Sequence, residues 1–185
     1  NVEITIEVNP DDINQSLIEG FKKTKINRFS VGIQSFFDDD LKMMNRRHNR
    51  DEAIGSINLL QENDFKNISI DLLYGLAGSN IEKWIQNLSL FFDFDLPHLS
   101  AYHITYEPNT VFFNYLKKGK IKEINEEESL EQFMILRKKA KENYFIHYET
   151  SNFAKKGYFS RHNSQYWNDQ KYLGIGPSAH SYDGI

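Results

Sequence analysis

The chain has 185 residues, 39% hydrophobic and 14% aromatic, which is enough for one sizeable core but too few for two comfortable domains. Its net charge of −4 argues against a broad nucleic-acid interface, and the absence of cysteine excludes disulfides, a thiol nucleophile and iron–sulfur ligation from within these residues. No apolar stretch approaches the roughly 18 residues of a membrane span and no signal peptide opens the chain, so we expect a cytoplasmic protein without stable membrane insertion.

Four apolar runs of strand length each stop at a turn and leave polar residues at their downstream ends. The runs lead to Glu7, to Gln34, to Asp71, and to Thr105 with Glu107. Their spacing matches that of successive strand–helix–strand units. Because ligands sit at the carboxyl ends of the strands in folds built from such units, these polar residues mark the expected binding site.

Helical patterns separate the runs. The first helix is predicted to start at residues 10–12, the second to be capped by Asp51, and the third to follow the apolar stripe that begins at Ile81. The strict alternation of strand and helix through residue 107 predicts a parallel sheet with right-handed crossovers. We therefore expect an α/β fold that is a parallel barrel or part of one, with a flat doubly wound sheet as the alternative.

The pattern changes after residue 107. A short helix is predicted over residues 110–118 and a long one over 126–144, with Leu130, Phe133 and Met134 on its inner face. The remainder of the chain is rich in aromatic, Asn, His and Gly residues and has little helical periodicity. We therefore divide the chain into a partial barrel, residues 1–107, and a C-terminal α+β extension, residues 108–185, that packs on the barrel.

Glu7, Gln34 and Asp71 are expected on adjacent strand ends, where they would converge on one small polar ligand. Carboxylates accept hydrogen bonds from an amino group or from ribose hydroxyls, and a glutamine amide both donates and accepts. Arg46 lies in a loop on the same side and can form a bidentate pair with a carboxylate. The alternative is that each residue merely caps a helix or bonds a loop.

The six histidines show no spacing typical of a zinc site, and no metal ligands are predicted. His162 stands apart, because Arg161 precedes it and Asn163, Tyr166 and Trp167 follow it. An imidazole, flat aromatic surfaces and a guanidinium suit a planar macrocycle that bears carboxylates, with His162 as its axial ligand. A packed aromatic corner is the alternative.

At these positions the chain resembles the radical S-adenosylmethionine proteins of the oxygen-independent coproporphyrinogen III oxidase group. The resemblance covers nearly the whole chain in order, through residues 6–10, 28–36, 70–76, 148–154, 162–167 and 173–176. The later segments, with the HNxxYW element at 162–167, are similar to one branch of the group, the heme chaperone HemW. Members of that branch bind heme and hand it to target proteins.

The resemblance also implies the roles of particular residues. The family positions that contact S-adenosylmethionine are occupied here by Glu7, Gln34, Arg46 and Asp71, with Leu73 and Thr105 lining the same pocket. Heme binding is associated with the HNxxYW residues His162, Asn163, Tyr166 and Trp167. Heme is thus the implied cargo and heme-recipient proteins are the implied partners.

One departure from the family pattern matters. The family's [4Fe–4S] cluster is held by a CxxxCxxC loop after the first barrel strand, and a glycine-rich motif follows the second strand. Neither motif occurs in this sequence. We therefore expect the chain to begin at the family's third strand and, without thiolates, to be inactive in radical chemistry.

Three functions are compared on these grounds. The first is a heme-binding and heme-transfer protein, and the second is an oxidase that decarboxylates coproporphyrinogen propionates through a 5′-deoxyadenosyl radical. The third, outside the family, is a hydrolase with Asp71 and Glu7 as acid and base, which ranks last because exposed strand-end carboxylates should not have raised pKa values. The edge strand at residues 2–8 is also predicted to pair with another chain, as in a homodimer.

Overall fold

A computed structural model of the protein describes residues 2–108, 110–168, 170–176 and 179–184, and for Tyr166 the backbone alone. In chain order the elements are β1 (Thr5–Val8), a 3₁₀ turn (Pro10–Asp12), α1 (Gln15–Phe21), β2 (Arg28–Gln34), α2 (Asp38–Met43), α3 (Arg50–Glu62), β3 (Ile68–Tyr74), α4 (Ile81–Asp93), β4 (His98–His103), α5 (Val111–Lys117), α6 (Glu126–Glu142), β5 (Ile146–His147), β6 (Asn152–Ala154) and α7 (Arg161–Trp167). None of the helices in these ranges is both long and apolar enough to cross a membrane.

The strands of the described residues form one six-stranded sheet in the order β1-β2-β3-β4-β6-β5. Strands β1 to β4 pair in parallel, and helical segments connect each of them to the next. Strand β6 pairs antiparallel with β4, and β5 pairs antiparallel with β6. The predicted parallel α/β sheet is therefore confirmed, and the region after residue 107 extends the same sheet by two strands. The division at residue 107 stays a prediction.

Successive side chains along the strands point to opposite faces of the sheet, and one of these faces is apolar while the other is polar. The apolar face packs against the helices and forms the core, whose members include Phe29, Val31, Ile33, Ile70, Leu72, Leu99, Ile57, Trp84 and Leu136. Each of these side chains is 0% or 1% exposed, so this face excludes water. The core therefore holds the strands in a fixed register, and the opposite face is left for polar residues.

Asparagines, and not the predicted aspartate, cap α1, α3 and α4. Asn49 caps α3 in a reciprocal capping box with Glu52, whereas Asp51 is the second residue of the helix. The first predicted helix is divided into the turn Pro10–Asp12 and α1, which Asn14 caps. In each case the asparagine has an extended backbone that directs its side-chain oxygen at an unpaired N–H of the first turn.

The long helix α6 buries a different face from the one predicted. Leu130 and Met134 are 60% and 52% exposed, so the prediction that they face inward is wrong, whereas Phe133 packs against the core as predicted. Gln132 is fully buried instead, and its backbone carbonyl accepts a hydrogen bond from Trp84 Nε1 at 2.8 Å. The buried residues Gln132, Leu136 and Ala140 recur every four residues, so this stripe is the face that α6 packs against the sheet region.

A short helix, α7, lies in the segment for which little helical periodicity was predicted. Ser160 caps it, because its hydroxyl accepts a hydrogen bond from the backbone N–H of Asn163 at 3.1 Å. His162 and Asn163 therefore lie in the first turn of α7, and Trp167 is its last residue.

Candidate functional site

The face of the sheet that points away from the helices is lined by polar side chains, and we call it the polar face. Alternation along the strands places on it Thr5, Glu7, Arg28, Ser30, Ser69, Asp71, His98, Ser100, Tyr102 and Asn152. Side chains from neighbouring strands meet there, since Ser30 Oγ donates to Asp71 Oδ1 at 3.4 Å. Of the polar residues predicted from the strand ends, Glu7 and Asp71 thus lie on this surface, together with polar residues found inside the strands.

Asp71 is the central acid of the polar face. Burial raises the pKa of Asp71 to about 6, and the nearby charge of Glu7 acts in the same direction. Hydrogen bonds from Ser100 and Ser30 and the charge of Arg28 oppose this shift. The expectation that strand-end carboxylates lack raised pKa values is therefore wrong for Asp71, because its side chain is enclosed between two strands.

Arg28 is a buried cation on the polar face. It is 3% exposed, and in the described part of the chain it forms no ion pair and its Nε atom has no hydrogen-bond partner. Burial lowers the pKa of Arg28, while the charges of Glu3 and Asp71 raise it. Thr5 Oγ1 and Asn152 Oδ1 are likewise buried and have no hydrogen-bond partner among the residues that the structure describes. These unpartnered atoms are groups that a polar ligand can satisfy.

Gln34, Arg46 and Asn9 gather around Gly32. One Arg46 nitrogen, Nη2, donates to Asn9 Oδ1 at 2.7 Å and to the Gly32 carbonyl at 2.9 Å. Gln34 has a φ of 68°, which is rare for a residue other than glycine and is often found at functional sites. A Cβ atom on Gly32 would lie 3.0 Å from Gln34 Nε2. Because Gly32 has no side chain, the polar groups of Gln34 and Arg46 can occupy the space beside it.

The structure places four of the six residues predicted to contact S-adenosylmethionine in two pairs. Gln34 and Arg46 lie around Gly32, and Glu7 lies near enough to Asp71 for its charge to raise the pKa of that carboxyl. Leu73 is half-buried and pairs in register with Tyr102 of the polar face. Thr105 is exposed beyond the end of β4 and makes no hydrogen bond to the others within the described residues. Arg28 was not among the predicted site residues, although a charged residue at the start of an apolar strand could have indicated it.

A row of hydrogen bonds leads from the polar face to α7. Ser69 Oγ lies 2.6 Å from His98 Nδ1, and His98 Nε2 lies 2.7 Å from the Tyr148 hydroxyl. The Ser160 backbone N–H donates to that hydroxyl at 3.1 Å. Burial and the charge of Arg28 lower the pKa of His98 well below its usual range, so the ring is neutral. Burial raises the pKa of Tyr148 to about 12, so the hydroxyl keeps its proton.

Glu3 holds the first turn of α7 from the side of strand β1. Its Oε1 atom accepts hydrogen bonds from the backbone N–H groups of Arg161, at 2.9 Å, and of His162, at 3.4 Å. A carboxylate at this place also interacts favourably with the helix dipole. The half-buried His162 ring meets the Tyr172 ring edge-on, with centroids 5.2 Å apart. His162 is thus placed beside the sheet and next to an aromatic neighbour.

Exposed apolar side chains lie in and after α7. Trp167, Leu173 and Ile175 are 65%, 77% and 88% exposed. The side chain of Tyr166 lies outside the described part of the structure. These large apolar side chains are therefore accessible to another molecule.

The polar face suits a small polar cation and does not suit an iron–sulfur cluster. The charges of Glu3 and Asp71 act on the guanidinium of Arg28, and the charge of Glu7 acts on Asp71. S-adenosylmethionine carries a sulfonium, an ammonium, a carboxylate and ribose hydroxyls, which match these acids and the amide and guanidinium around Gly32. No thiolate is available in the sequence, and no group of three His, Asp or Glu in the described residues could hold a metal ion.

The sequence matches known proteins over most of its length. Residues 1–91 match the model of the radical SAM superfamily. The chain is 36% identical over 182 residues to the heme chaperone HemW of Bacillus subtilis (strain 168), covering 98% of this chain and 48% of that protein. It is 32% identical to the mitochondrial radical S-adenosyl methionine domain-containing protein 1 of Bos taurus, covering 96% and 40%. The chain therefore spans about half the length of the curated relatives it matches, or less.

Solved structures share the fold. The coproporphyrinogen III oxidase HemN from Escherichia coli, a radical SAM enzyme, superposes with a TM-score of 0.78 at 21% identity, covering 98% of this chain and 44% of that one. Elp3 from the archaeon Methanocaldococcus infernus superposes with a TM-score of 0.65 at 28% identity, covering 71% and 32%. The predicted partial barrel of the radical SAM type is confirmed, and the flat doubly wound alternative is set aside.

Proposed function

This chain belongs to the radical SAM superfamily, and we propose that it carries the S-adenosylmethionine-binding and heme-binding residues of a HemW-type heme chaperone. The observation that carries this proposal is the position of α7. Its first turn, with His162 and Asn163, is fastened to Glu3 beside the polar face, while Trp167 at its end is exposed. Relatives named heme chaperone HemW match nearly the whole chain, which supports the same assignment.

S-adenosylmethionine is the cofactor proposed for the polar face. Glu7 and Asp71 accept hydrogen bonds from its ammonium and hydroxyl groups, and Gln34 and Arg46 bind its carboxylate. Leu73 lines the same pocket. When it is bound beside a reduced [4Fe–4S] cluster, S-adenosylmethionine supplies a 5′-deoxyadenosyl radical, but the ligands of such a cluster are not among these residues. The contribution of this chain is to bind and orient the cofactor.

Heme is the proposed cargo, and α7 with the segment that follows it is its proposed binding surface. The His162 imidazole supplies an axial ligand to iron, and Asn163, Tyr166 and Trp167 complete the HNxxYW element. The exposed Trp167 offers a flat apolar surface of the kind that a porphyrin covers. Heme-recipient proteins are the proposed partners, and the cytoplasm is the proposed location.

The two alternatives receive less support. An oxidase acting on coproporphyrinogen is favoured by the fold alone, since the Escherichia coli enzyme is 21% identical to this chain. The raised pKa of Asp71 supports the hydrolase hypothesis, because a general acid needs a raised pKa. A hydrolase, however, lies outside the family to which the chain belongs.

The decisive experiment uses the full-length protein with its cluster reconstituted. Heme and coproporphyrinogen are offered in parallel, and heme uptake is followed by absorption while decarboxylation is followed by chromatography of the porphyrins. Stable heme uptake without decarboxylation is the expected result. Decarboxylation with turnover, or the absence of heme uptake, would overturn the proposed function.

The role of His162 is tested by the substitution His162→Ala in the same protein. Loss of an axial imidazole should weaken the heme absorption shift on titration, because the iron loses a strong-field ligand. The control is His147→Ala, since His147 is exposed on β5 and stacks on Phe153 of the neighbouring strand. An unchanged spectrum in His162→Ala would remove the axial-ligand assignment.

A further inference from the structure

The hydrogen bonds between the polar face and α7 form a row in which each donor and acceptor can be assigned, starting from Ser160. The backbone N–H of Ser160 is only a donor, so the Tyr148 oxygen accepts from it at 3.1 Å. In the described structure the only other hydrogen-bond partner of this hydroxyl is His98 Nε2 at 2.7 Å. The arrangement that leaves no donor of the row unused has Nε2 accept the Tyr148 proton. The neutral His98 ring then carries its own proton on Nδ1 and donates to Ser69 Oγ at 2.6 Å.

The same direction continues toward Asp71. The Ser69 proton is free to point at Ser100 Oγ, 3.5 Å away, which is the longest step in the row. Ser100 pairs in register with Asp71 on the neighbouring strand, and its hydroxyl acts to lower the pKa of that carboxyl. The row thus runs from a backbone donor at Ser160 to Ser100, the neighbour of Asp71 in the sheet. Aligned hydrogen bonds of this kind strengthen one another, and a negative charge on Asp71 beside the end of the row favours the alignment.

The other end of the row lies at the start of α7. Ser160 donates its backbone N–H to Tyr148, and its hydroxyl caps the helix by accepting from Asn163. Glu3 holds the next two backbone N–H groups from the opposite side. The first turn of α7 is therefore attached at two points, one at Glu3, which precedes β1, and one on the row that passes through β4.

We propose that His98 and Tyr148 are positioning residues that hold the first turn of α7 against the polar face and relay changes at Asp71 to it. Because Asp71 is an acceptor that a cationic ligand would engage, occupation of the polar face changes the hydrogen bond at Ser160. The relevance of this link for heme rests on the proposed function, since α7 carries His162. The link itself does not depend on heme.

The variant Tyr148→Phe removes the hydroxyl and keeps the ring, which stacks on Phe159 with centroids 4.5 Å apart. Its matched control is Tyr144→Phe, because Tyr144 is 88% exposed. In the full-length protein, hydrogen–deuterium exchange of peptides covering residues 158–164 should become about tenfold faster in Tyr148→Phe, and not in the control. Equal exchange in both variants would overturn the anchoring role.

Two further measurements test the direction and the relay. Nitrogen NMR of the labelled histidines should show His98 protonated on Nδ1, and protonation on Nε2 would overturn the direction of the row. The variant Asp71→Asn should alter both the His98 signals and the exchange of residues 158–164. If neither changes, the relay to Asp71 is wrong. These measurements contain neither heme nor S-adenosylmethionine. A result that contradicts the link would therefore leave the proposed function intact, and a failure to bind heme would leave the link intact.

Discussion

The Gln34 amide lies directly over Gly32, with its Nε2 atom 3.0 Å from the point that a Cβ on Gly32 would occupy. One nitrogen of the Arg46 guanidinium lies 3.3 Å from the same point. Both distances are shorter than most Cβ contacts, so any side chain at this position would push one of these groups aside. Glycine is therefore required here to leave room for two polar side chains that come from different parts of the chain.

Replacing Gly32 by alanine should weaken S-adenosylmethionine binding by about 1 kcal/mol, because the added methyl displaces a hydrogen-bonding group of the pocket. Calorimetry on the full-length protein measures the effect. Gly55→Ala is the control, since no atom lies within 4 Å of its Cβ position on helix α3. This control should bind normally and gain about 0.5–1 kcal/mol in stability. Normal affinity in Gly32→Ala would show that these groups do not contact the cofactor.

Removing the Asp71 carboxylate should also weaken S-adenosylmethionine binding. Asp71→Ala is expected to cost about 1–3 kcal/mol, the value of a hydrogen bond to a charged group. Asp93→Ala serves as the control, because Asp93 is exposed at the end of α4. Identical calorimetric affinities for the two variants would count against Asp71 as a cofactor ligand.

The raised pKa of Asp71 makes the stability of the fold depend on pH. Its pKa is about 6 in the folded protein, against an ordinary value of 3.8. Between these values the folded state holds a proton that the unfolded state has lost, so the free energy of unfolding falls as the pH rises. Asparagine cannot ionise, so the variant Asp71→Asn does not lose stability in this way. The free energy of unfolding of the variant minus that of the parent should be larger at pH 7 than at pH 4, by on the order of 1–3 kcal/mol.

Urea unfolding of the parent and of Asp71→Asn at both pH values measures this difference. Carboxylates remote from Asp71 contribute equally to the pH dependence of both proteins and therefore cancel. A difference between the two proteins that does not change with pH would show that Asp71 ionises normally in the folded state.

Lys83 neutralises a buried carboxylate. Its Nζ lies 2.9 Å from Asp40 Oδ1, and Asp40 is 3% exposed and also accepts from the Ser35 hydroxyl at 2.8 Å. Lys83→Met leaves this buried charge without its cation and should lower the free energy of unfolding by about 2–4 kcal/mol. Lys66→Met is the control, because both partners of the Lys66–Asp64 pair are largely exposed, and its effect should be below about 1 kcal/mol. Similar urea midpoints for the two variants would contradict the prediction.

Strand β1 lies at one edge of the sheet, as predicted, and within the described residues it pairs only with β2. The homodimer expected from this edge stays a prediction. Sedimentation of the 185-residue chain should show association, and Ile4→Lys should reduce it, because a lysine on an edge strand opposes pairing. Ile146→Lys on the other edge strand, β5, provides the comparison. A chain that sediments as a monomer, or that is insensitive to Ile4→Lys, would exclude this interface.

The sequence predicted the alternation of strands and helices and the place of Glu7 and Asp71 on neighbouring parts of one sheet. It could do so because a strand places its side chains with a period of two residues and a helix with a period close to four, and both periods are local. Helix starts were predicted less well. Asp51 and Asn49 are both good capping residues, and only the backbone conformation of Asn49 decided between them.

The amino-acid sequence alone thus determined the class of the fold, the order of its elements and the residues that carry the family resemblance. The tertiary structure decided how much each charge is buried, which raised the pKa of Asp71 and left Arg28 without an ion pair in the described residues. It also decided which distant groups meet, such as His98 and Tyr148, which are 50 residues apart. Burial and hydrogen bonding between remote segments arise from packing in three dimensions, and no periodicity along the chain records them.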